Sequence, residues 1–193
     1  HTRTRRQRQM CIRDSNQPDE MVHLGGMIHA DLNVLTNIEA AHLELLSSLE
    51  NIASEKSLLA ELAKPGSPII LHVDALRYNA YKKLAHRAIV LLPEGVVAPD
   101  LPSKQIVRYK VSEQMEDLGA TRAVQASQQV TIDGQNYPIA SPSEGIASNT
   151  ALAIVAAKYL GIVESDIRKR VEAWRPSGTV SYTHLTLPTS SRV

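Results

Sequence analysis

The sequence is poor in features that mark a secreted or membrane protein. Its single cysteine, Cys11, cannot form an intramolecular disulfide bond, which fits a reducing compartment. No apolar run is long enough to span a membrane, and the first residues lack the apolar core of a secretory signal. The composition, with 43% hydrophobic and 21% charged residues, is typical of a soluble globular domain. We therefore expect a cytoplasmic protein with no membrane partner.

The net charge of +1 hides an uneven distribution along the chain. Residues 1–15 contain five arginines and one aspartate, whereas residues 16–179 contain 15 basic and 19 acidic residues. Taken at face value, such a basic arm is typical of proteins that bind nucleic acid or a membrane surface.

A different origin explains both ends of the chain. Residues 10–15 (MCIRDS) and 180–185 (VSYTHL) can be encoded by DNA strings that are reverse complements over nearly their whole length. These strings resemble a transposase adapter used in sequencing libraries, read inward from each end. We therefore interpret residues 1–15 and 179–193 as adapter-derived and disordered, and exclude them from the fold. The prediction is then a native segment over residues 16–178 with no nucleic-acid partner.

The first half of the native segment alternates between apolar strands and helices. Strands are predicted over residues 31–37, 68–73 and 88–92, with helices over residues 47–63 and 75–85 between them. This β-α-β-α-β order predicts an α/β fold with a parallel sheet and crossover helices.

The second half has a different pattern. An Asp133-Gly134 pair is a hairpin signal, and it separates two apolar runs. The predicted elements here are strands over residues 105–111, 123–132 and 135–139, and helices over residues 146–160 and 164–174. A small antiparallel section therefore follows the parallel one.

The helix predicted over residues 47–63 contains an unexpected lysine. Ser47 and Glu50 have the spacing of a capping box that would begin this helix. Lys56 falls within its apolar stripe, four residues from both Ile52 and Ala60. A lysine there either extends to solvent or is held by a specific partner. His42, in the loop after the first strand, lies where ligands usually bind in an open α/β sheet, although a plain surface histidine fits as well.

Two stretches around these residues carry a family resemblance. Residues 33–44 (NVLTNIEAAHLE) are similar to a strand followed by an asparagine and an "AHLE"-type turn. Residues 48–56 (SLENIASEK) are similar to a "GSLEGIAxAK" helix, and the step of fourteen residues from His42 to Lys56 also matches. The turn and the helix that these two stretches resemble are motifs of the central domain of the Mur ligases.

Weaker matches extend the resemblance over nearly all of the native segment. Residues 16–20 are similar to an "NHxGE" stretch of the D-alanyl-D-alanine-adding branch. Residues 149–153 and 159–161 are similar to an "NALAA…LG" helix, and residues 174–178 to the stretch after it. The resemblance implies a partial Mur ligase central domain over residues 16–178, which would be incomplete.

The resemblance also implies roles for the unusual residues. The matching lysine of the family is carbamylated, so Lys56 would become an anionic oxygen ligand for Mg²⁺, and His42 would supply a second metal ligand. Both would then be catalytic through the metal that accompanies ATP. Asn37 and Asn149 stand where they could bind nucleotide or substrate, although asparagines at such positions are usually caps.

The implied reaction is ATP-dependent amide formation by the full-length parent, a monomer. The carboxylate of a UDP-N-acetylmuramoyl-tripeptide would take the γ-phosphate of ATP, and the amine of D-alanyl-D-alanine would attack the acyl phosphate. Two departures stand against activity of this chain alone: it has no G-x-x-x-x-G-K-[ST] loop, and Gly145 replaces a histidine found in many relatives. The alternatives are another Mur-fold ligase, such as a folylpolyglutamate or cyanophycin type, and a non-catalytic α/β binding module.

Overall fold

A computed structural model describes the chain over five stretches, which are residues 20–38, 47–102, 105–117, 124–139 and 143–175. The predicted adapter-derived ends, residues 1–15 and 179–193, lie outside the described residues. Within the described part, no helix is long and apolar enough to cross a membrane.

One six-stranded sheet organises the described chain, with its strands in sequence order from β1 to β6. The strands are β1 (Asn33–Leu35), β2 (Ile69–His72), β3 (Ala88–Pro93), β4 (Ile106–Asp117), β5 (Val124–Ile132) and β6 (Gln135–Ile139). β1 to β4 pair in parallel, whereas β5 and β6 join in antiparallel fashion. The predicted α/β class, parallel-rich with a small antiparallel section, is confirmed.

Five α-helices and two short 3₁₀ segments accompany the sheet in the described part. The α-helices are α1 (Glu20–Ile28), α2 (Leu49–Glu61), α3 (Asn79–Leu84), α4 (Glu144–Tyr159) and α5 (Glu164–Ala173), and the 3₁₀ segments are Val73–Arg77 and Ala85–Arg87. α2 and α3 are the crossover connections of the parallel strands. The helix predicted over residues 75–85 is confirmed over Asn79–Leu84, but it starts later than predicted because a 3₁₀ turn first carries the chain away from the end of β2.

Alternation along the strands explains why both faces of the sheet are covered. In β2, Ile69 and Leu71 pack on the side of α2 and α3, whereas Ile70 packs on the side of α4 and α5. In β3, Val90 and Leu91 divide in the same way. Parallel strands that are apolar on both faces require a helical layer on each side, and this chain supplies both layers.

The start of α2 differs by one residue from the predicted capping box. Ser48, not Ser47, is the N-cap, and its Oγ accepts a hydrogen bond from the Asn51 backbone N–H at 3.1 Å. Ser47 has a φ of 64° and precedes the helix. Glu50 Oε1 instead accepts from the Asn79 backbone N–H at 3.0 Å, and so fastens α2 to the start of α3.

α1 was not predicted, because its sequence EMVHLGGMI has two glycines and no clear capping residue. It packs against α2, and the buried carboxylate of Glu55 on α2 caps the first turn of α1. Glu55 Oε1 accepts from the Met21 backbone N–H at 3.0 Å, which satisfies a donor that an isolated helix would leave unpaired.

The antiparallel section forms a long ribbon. Asp133 and Gly134 both have positive φ values, 52° and 73°, as a two-residue hairpin turn requires, so the predicted turn is confirmed. β4 is longer than predicted and pairs with β5 along nine residues, as far as Asp117 opposite Val124. Only Ile106 to Tyr109 of β4 pair with β3, so the far part of the ribbon extends past the parallel strands.

Candidate functional site

Two adjoining clefts lie at the carboxyl ends of β1, β2 and β3. The first encloses about 250 Å³ between the end of β1 and the 3₁₀ segment Val73–Arg77, with Arg77 and Tyr78 in its wall. The second encloses about 370 Å³ between β2, β4 and the first turns of α4. Three residues line both, namely Asn37, His72 and Asp74. This edge of a parallel sheet is where open α/β folds bind their ligands.

Lys56 of α2 contacts one of the residues that line both clefts, although it is not itself a lining residue. Its side chain is half-buried, and its Nζ donates to the backbone carbonyl of Asn37 at 3.4 Å. The lysine thus has a backbone partner, while its half-buried side chain also keeps access to solvent. The contact joins α2 to the segment that follows β1, and Asn37 is part of both cleft walls.

A chain of polar contacts crosses the boundary between the clefts. Asp74 Oδ1 lies 3.1 Å from Arg77 Nη2, and its Oδ2 lies 3.1 Å from His72 Nδ1. The other ring nitrogen of this histidine, Nε2, is 2.9 Å from the Tyr109 hydroxyl. These contacts link the 3₁₀ segment, β2 and β4 at the point where the sheet meets the site.

Tyr109 is buried and stands in a negative environment. Burial raises the pKa of its hydroxyl, a hydrogen bond from Ser148 lowers it, and the carboxylates of Glu144 and Asp74 raise it further. The phenol therefore stays protonated well above neutral pH. Ser148 and Glu144 belong to the first turns of α4, so this helix contributes directly to the second cleft.

The structure brings some of the predicted site residues together and separates others. Lys56 and Asn37 meet at the site, as described above. Asn149 is exposed on α4 and is not a lining residue, whereas its neighbours Gly145 and Ser148 are. His42 lies in residues 39–46, outside the described residues. Within the described stretches, no cluster of three or more histidine, cysteine, aspartate or glutamate side chains could hold a metal ion.

Four residues of the site were missed from the sequence, and they are His72, Asp74, Tyr109 and Ser148. His72 ends the apolar strand β2 and Asp74 comes two residues later, and that position is itself an indication of a binding edge. Tyr109 and Ser148 offer no such indication. They join the site because β4 lies beyond β3 in the sheet and α4 packs on β2, and periodicity cannot show which elements become neighbours.

An open α/β sheet with clefts at the carboxyl ends of its parallel strands defines a ligand-binding α/β domain. The family is given by a model of the Mur ligase middle domain, which matches residues 13–157. The chain belongs to this family. The match begins three residues before the predicted native boundary at residue 16.

Individual relatives agree with the family. A curated relative, the UDP-N-acetylmuramoyl-tripeptide–D-alanyl-D-alanine ligase of Buchnera aphidicola subsp. Acyrthosiphon pisum (strain APS), is 28% identical over 69 residues, which are 36% of this chain and 15% of that protein. A crystal structure of MurF from Acinetobacter baumannii is similar with a TM-score of 0.62 at 18% identity, covering 85% of this chain and 33% of that one. A second MurF structure from this organism has a TM-score of 0.59 at 18% identity, covering 84% and 33% of the two chains.

At these identities the solved structures establish the fold. The chain spans about a third of the length of the MurF structures and a smaller share of the curated relative.

Proposed function

We propose that this chain is the central part of an ATP-dependent ligase that joins D-alanyl-D-alanine to a UDP-N-acetylmuramoyl-tripeptide in peptidoglycan precursor synthesis. The observation that carries the proposal is the position of Lys56. In a Mur ligase middle domain, its half-buried amine lies 3.4 Å from the backbone carbonyl oxygen of Asn37, and Asn37 lines both carboxyl-end clefts. The curated relative is named for this same reaction, which favours it over other amide ligations.

The surroundings of Lys56 are compatible with a carbamylated lysine and Mg²⁺. Carbamylation would leave one N–H on Nζ, which could still donate to the Asn37 carbonyl oxygen, and would add an anionic carboxylate beyond it. The carboxylate oxygens are donors of the kind that Mg²⁺ prefers. Lys56, as its carbamate, and His42 are the proposed protein ligands.

The proposed reaction needs charge neutralisation and orientation more than covalent chemistry by the protein. Bound Mg²⁺ would neutralise charge on the phosphates of ATP during phosphoryl transfer to the tripeptide carboxylate. Asn37, which lines both clefts, would orient nucleotide or substrate, and Asn149 is proposed for the same role from its sequence position. The amine of D-alanyl-D-alanine then displaces phosphate from the acyl phosphate.

The decisive experiment uses the full-length parent and the Lys56→Ala variant. Release of phosphate from ATP is measured with both UDP-N-acetylmuramoyl-tripeptide and D-alanyl-D-alanine present, and with each one omitted. We expect activity only with both substrates, and a loss of at least about 10²-fold in Lys56→Ala, since removal of one charge-stabilising group costs this much in other enzymes. Small carboxylic acids should restore part of the activity by replacing the carbamate oxygens.

A matched control separates this role from a general effect of removing a lysine. Lys82 is exposed on α3, so Lys82→Ala should keep wild-type activity. ¹³C NMR of protein equilibrated with ¹³C-labelled bicarbonate should show a carbamate signal in the wild type and in Lys82→Ala, but not in Lys56→Ala. An active Lys56→Ala enzyme would remove the lysine from the proposed mechanism.

The second candidate is a Mur-fold ligase with a different amine substrate. It shares the Lys56 and His42 roles and differs in the amine that stimulates phosphate release and, for the folylpolyglutamate and cyanophycin types, in the carboxylate substrate as well. A panel of single amino acids, glutamate and D-alanyl-D-alanine distinguishes the two, and we expect only the dipeptide to act. We further propose that the full-length enzyme is a cytoplasmic monomer. Size-exclusion chromatography with light scattering tests its oligomeric state.

A further inference from the structure

The contacts of His72 determine which of its ring nitrogens carries the proton. Nδ1 lies 3.1 Å from the Asp74 carboxylate oxygen, and an unprotonated nitrogen at that distance would turn its lone pair toward a negative charge. The Asp74 backbone N–H is also directed at Nδ1, but at the longer distance of 3.4 Å. The carboxylate contact therefore favours a proton on Nδ1.

A proton on Nδ1 sets the direction of the remaining contacts. In the neutral ring Nε2 is then an acceptor, so the Tyr109 hydroxyl, 2.9 Å away, donates to it. The chain of polar contacts therefore runs in one direction, from Tyr109 through His72 to Asp74, and its far end is held by Arg77.

Residues of three separate elements line the second cleft, namely Ser148 of α4, Tyr109 of β4 and His72 of β2. Tyr109 is only 6% exposed. Its hydroxyl lies 2.9 Å from His72 Nε2, and this contact joins β4 to β2 at the cleft.

We infer that His72 is a positioning residue, held with its proton on Nδ1, whose Nε2 sets the orientation of Tyr109 and thereby the shape of the second cleft for a substrate. His72 acts through Tyr109 and does not react itself. The kinetic part of this inference rests on the proposed ligase function, because it requires a substrate that occupies the cleft.

The test compares His72→Gln with His72→Asn in the full-length parent. A glutamine amide can reach the position of Nε2 and accept from Tyr109, whereas an asparagine amide reaches only the position of Nδ1 and contacts Asp74. We expect His72→Asn to raise KM for at least one of the three substrates by about ten-fold with kcat changed less than about three-fold, as for lost binding geometry. His72→Gln should restore most of the wild-type KM.

A control and a spectroscopic measurement keep the outcomes separate. His86 is exposed, and its ring Nδ1 lies 3.0 Å from the Lys83 backbone carbonyl, away from both clefts, so His86→Asn should leave KM and kcat unchanged. Independently of any activity, ¹⁵N NMR of the chain should show His72 with its proton on Nδ1, and slow exchange of the Tyr109 hydroxyl in wild type and His72→Gln but not in His72→Asn.

The failures are distinguishable. A proton on Nε2, or equal KM values for His72→Asn and wild type in an active enzyme, would overturn the positioning role. Equal loss of kcat in His72→Gln and His72→Asn with wild-type KM would do so as well. A wild-type parent without ligase activity would contradict the proposed function, and the NMR result would still decide whether His72 holds Tyr109.

Discussion

Gly25 of α1 faces Leu62 at the end of α2 so closely that a Cβ added to the glycine would stand 2.8 Å from the Leu62 Cβ. Carbon atoms in van der Waals contact lie about 3.5–4.0 Å apart, so a side chain at position 25 requires one of the helices to move. The adjacent Gly26 has nothing within 4 Å of the same added atom. Two neighbouring glycines on one helix thus meet opposite surroundings.

This contrast predicts opposite effects of the same substitution. Gly25→Ala should lower the free energy of unfolding by about 1–3 kcal/mol, the usual cost of overpacking. Gly26→Ala should leave it unchanged or raise it by up to about 1 kcal/mol, because alanine favours helix over glycine. Urea denaturation of the two variants and the wild-type chain measures both. A stabilised Gly25→Ala would show that α1 does not pack on α2 at this distance.

The N-cap of α2 predicts a difference between two adjacent serines. Ser48→Ala removes the acceptor of the Asn51 N–H and should cost about 1 kcal/mol of the free energy of unfolding. Ser47→Ala removes no cap and should change it by less than about 0.5 kcal/mol. Thermal denaturation followed by circular dichroism compares the two. The reverse order would support the capping box at Ser47 that the sequence had indicated.

Alkaline pH should destabilise the domain through its buried tyrosines. Burial, followed by the negative charge of Glu61, raises the pKa of Tyr81, and burial is also the first cause of the raised pKa of Tyr109. A folded-state pKa above the unfolded value means that the native state holds the proton more tightly. The resulting stability is complete below the unfolded pKa of about 10 and is lost as the pH rises toward the folded pKa.

The measurement is the free energy of unfolding from about pH 8 to about pH 11, where the unfolded tyrosines ionise. We expect a fall above about pH 9.5 in the wild type, and a smaller fall in Tyr81→Phe, which has no phenol to ionise. Tyr159→Phe is the matched control, because Tyr159 is exposed and should leave the pH profile unchanged. Identical profiles for Tyr81→Phe and wild type would contradict the buried position of this hydroxyl.

The chain by itself should bind ATP poorly. Its sequence has no G-x-x-x-x-G-K-[ST] loop, and backbone N–H groups of such a loop supply much of the grip on nucleotide phosphates. Isothermal titration of this chain with Mg²⁺-ATP should show no saturable binding in the micromolar range and no ligase activity. Saturable micromolar binding would mean that the two clefts described above suffice for the nucleotide.

The elements that the sequence predicted best are those with local determinants. β6 begins and ends as predicted because the Asp133-Gly134 turn fixes its start, and Lys56 was identified because it interrupts an apolar stripe on one helix. The contact of Lys56 with the backbone carbonyl of Asn37, nineteen residues away, could not be predicted. Every residue has a backbone carbonyl, so the residue types do not show which one a lysine will contact.

The part of the site that the sequence missed depends on long-range pairing. His72 and Tyr109 are 37 residues apart, and they meet because β2 and β4 flank β3 in parallel register. The apolar pattern of each strand shows which of its residues face the core, but it does not show which strands become neighbours or which residues then meet. Likewise α1, with its two glycines, owes its helical form to packing on α2 and to the Glu55 carboxylate at its start.

The long ribbon of β4 and β5 gives the domain an uneven resistance to local opening. From Gln114 opposite Ser127 to Asp117 opposite Val124, each strand has only the other as a neighbour in the described chain. The pairing of β4 with β3 ends at Tyr109, and the pairing of β5 with β6 ends at Gln128. Two-stranded segments are marginally stable in water. Amide protons at this end should therefore exchange with solvent first, while those of β2 and β3 exchange only when the whole domain unfolds. The cleft residues are attached to the slowly exchanging end.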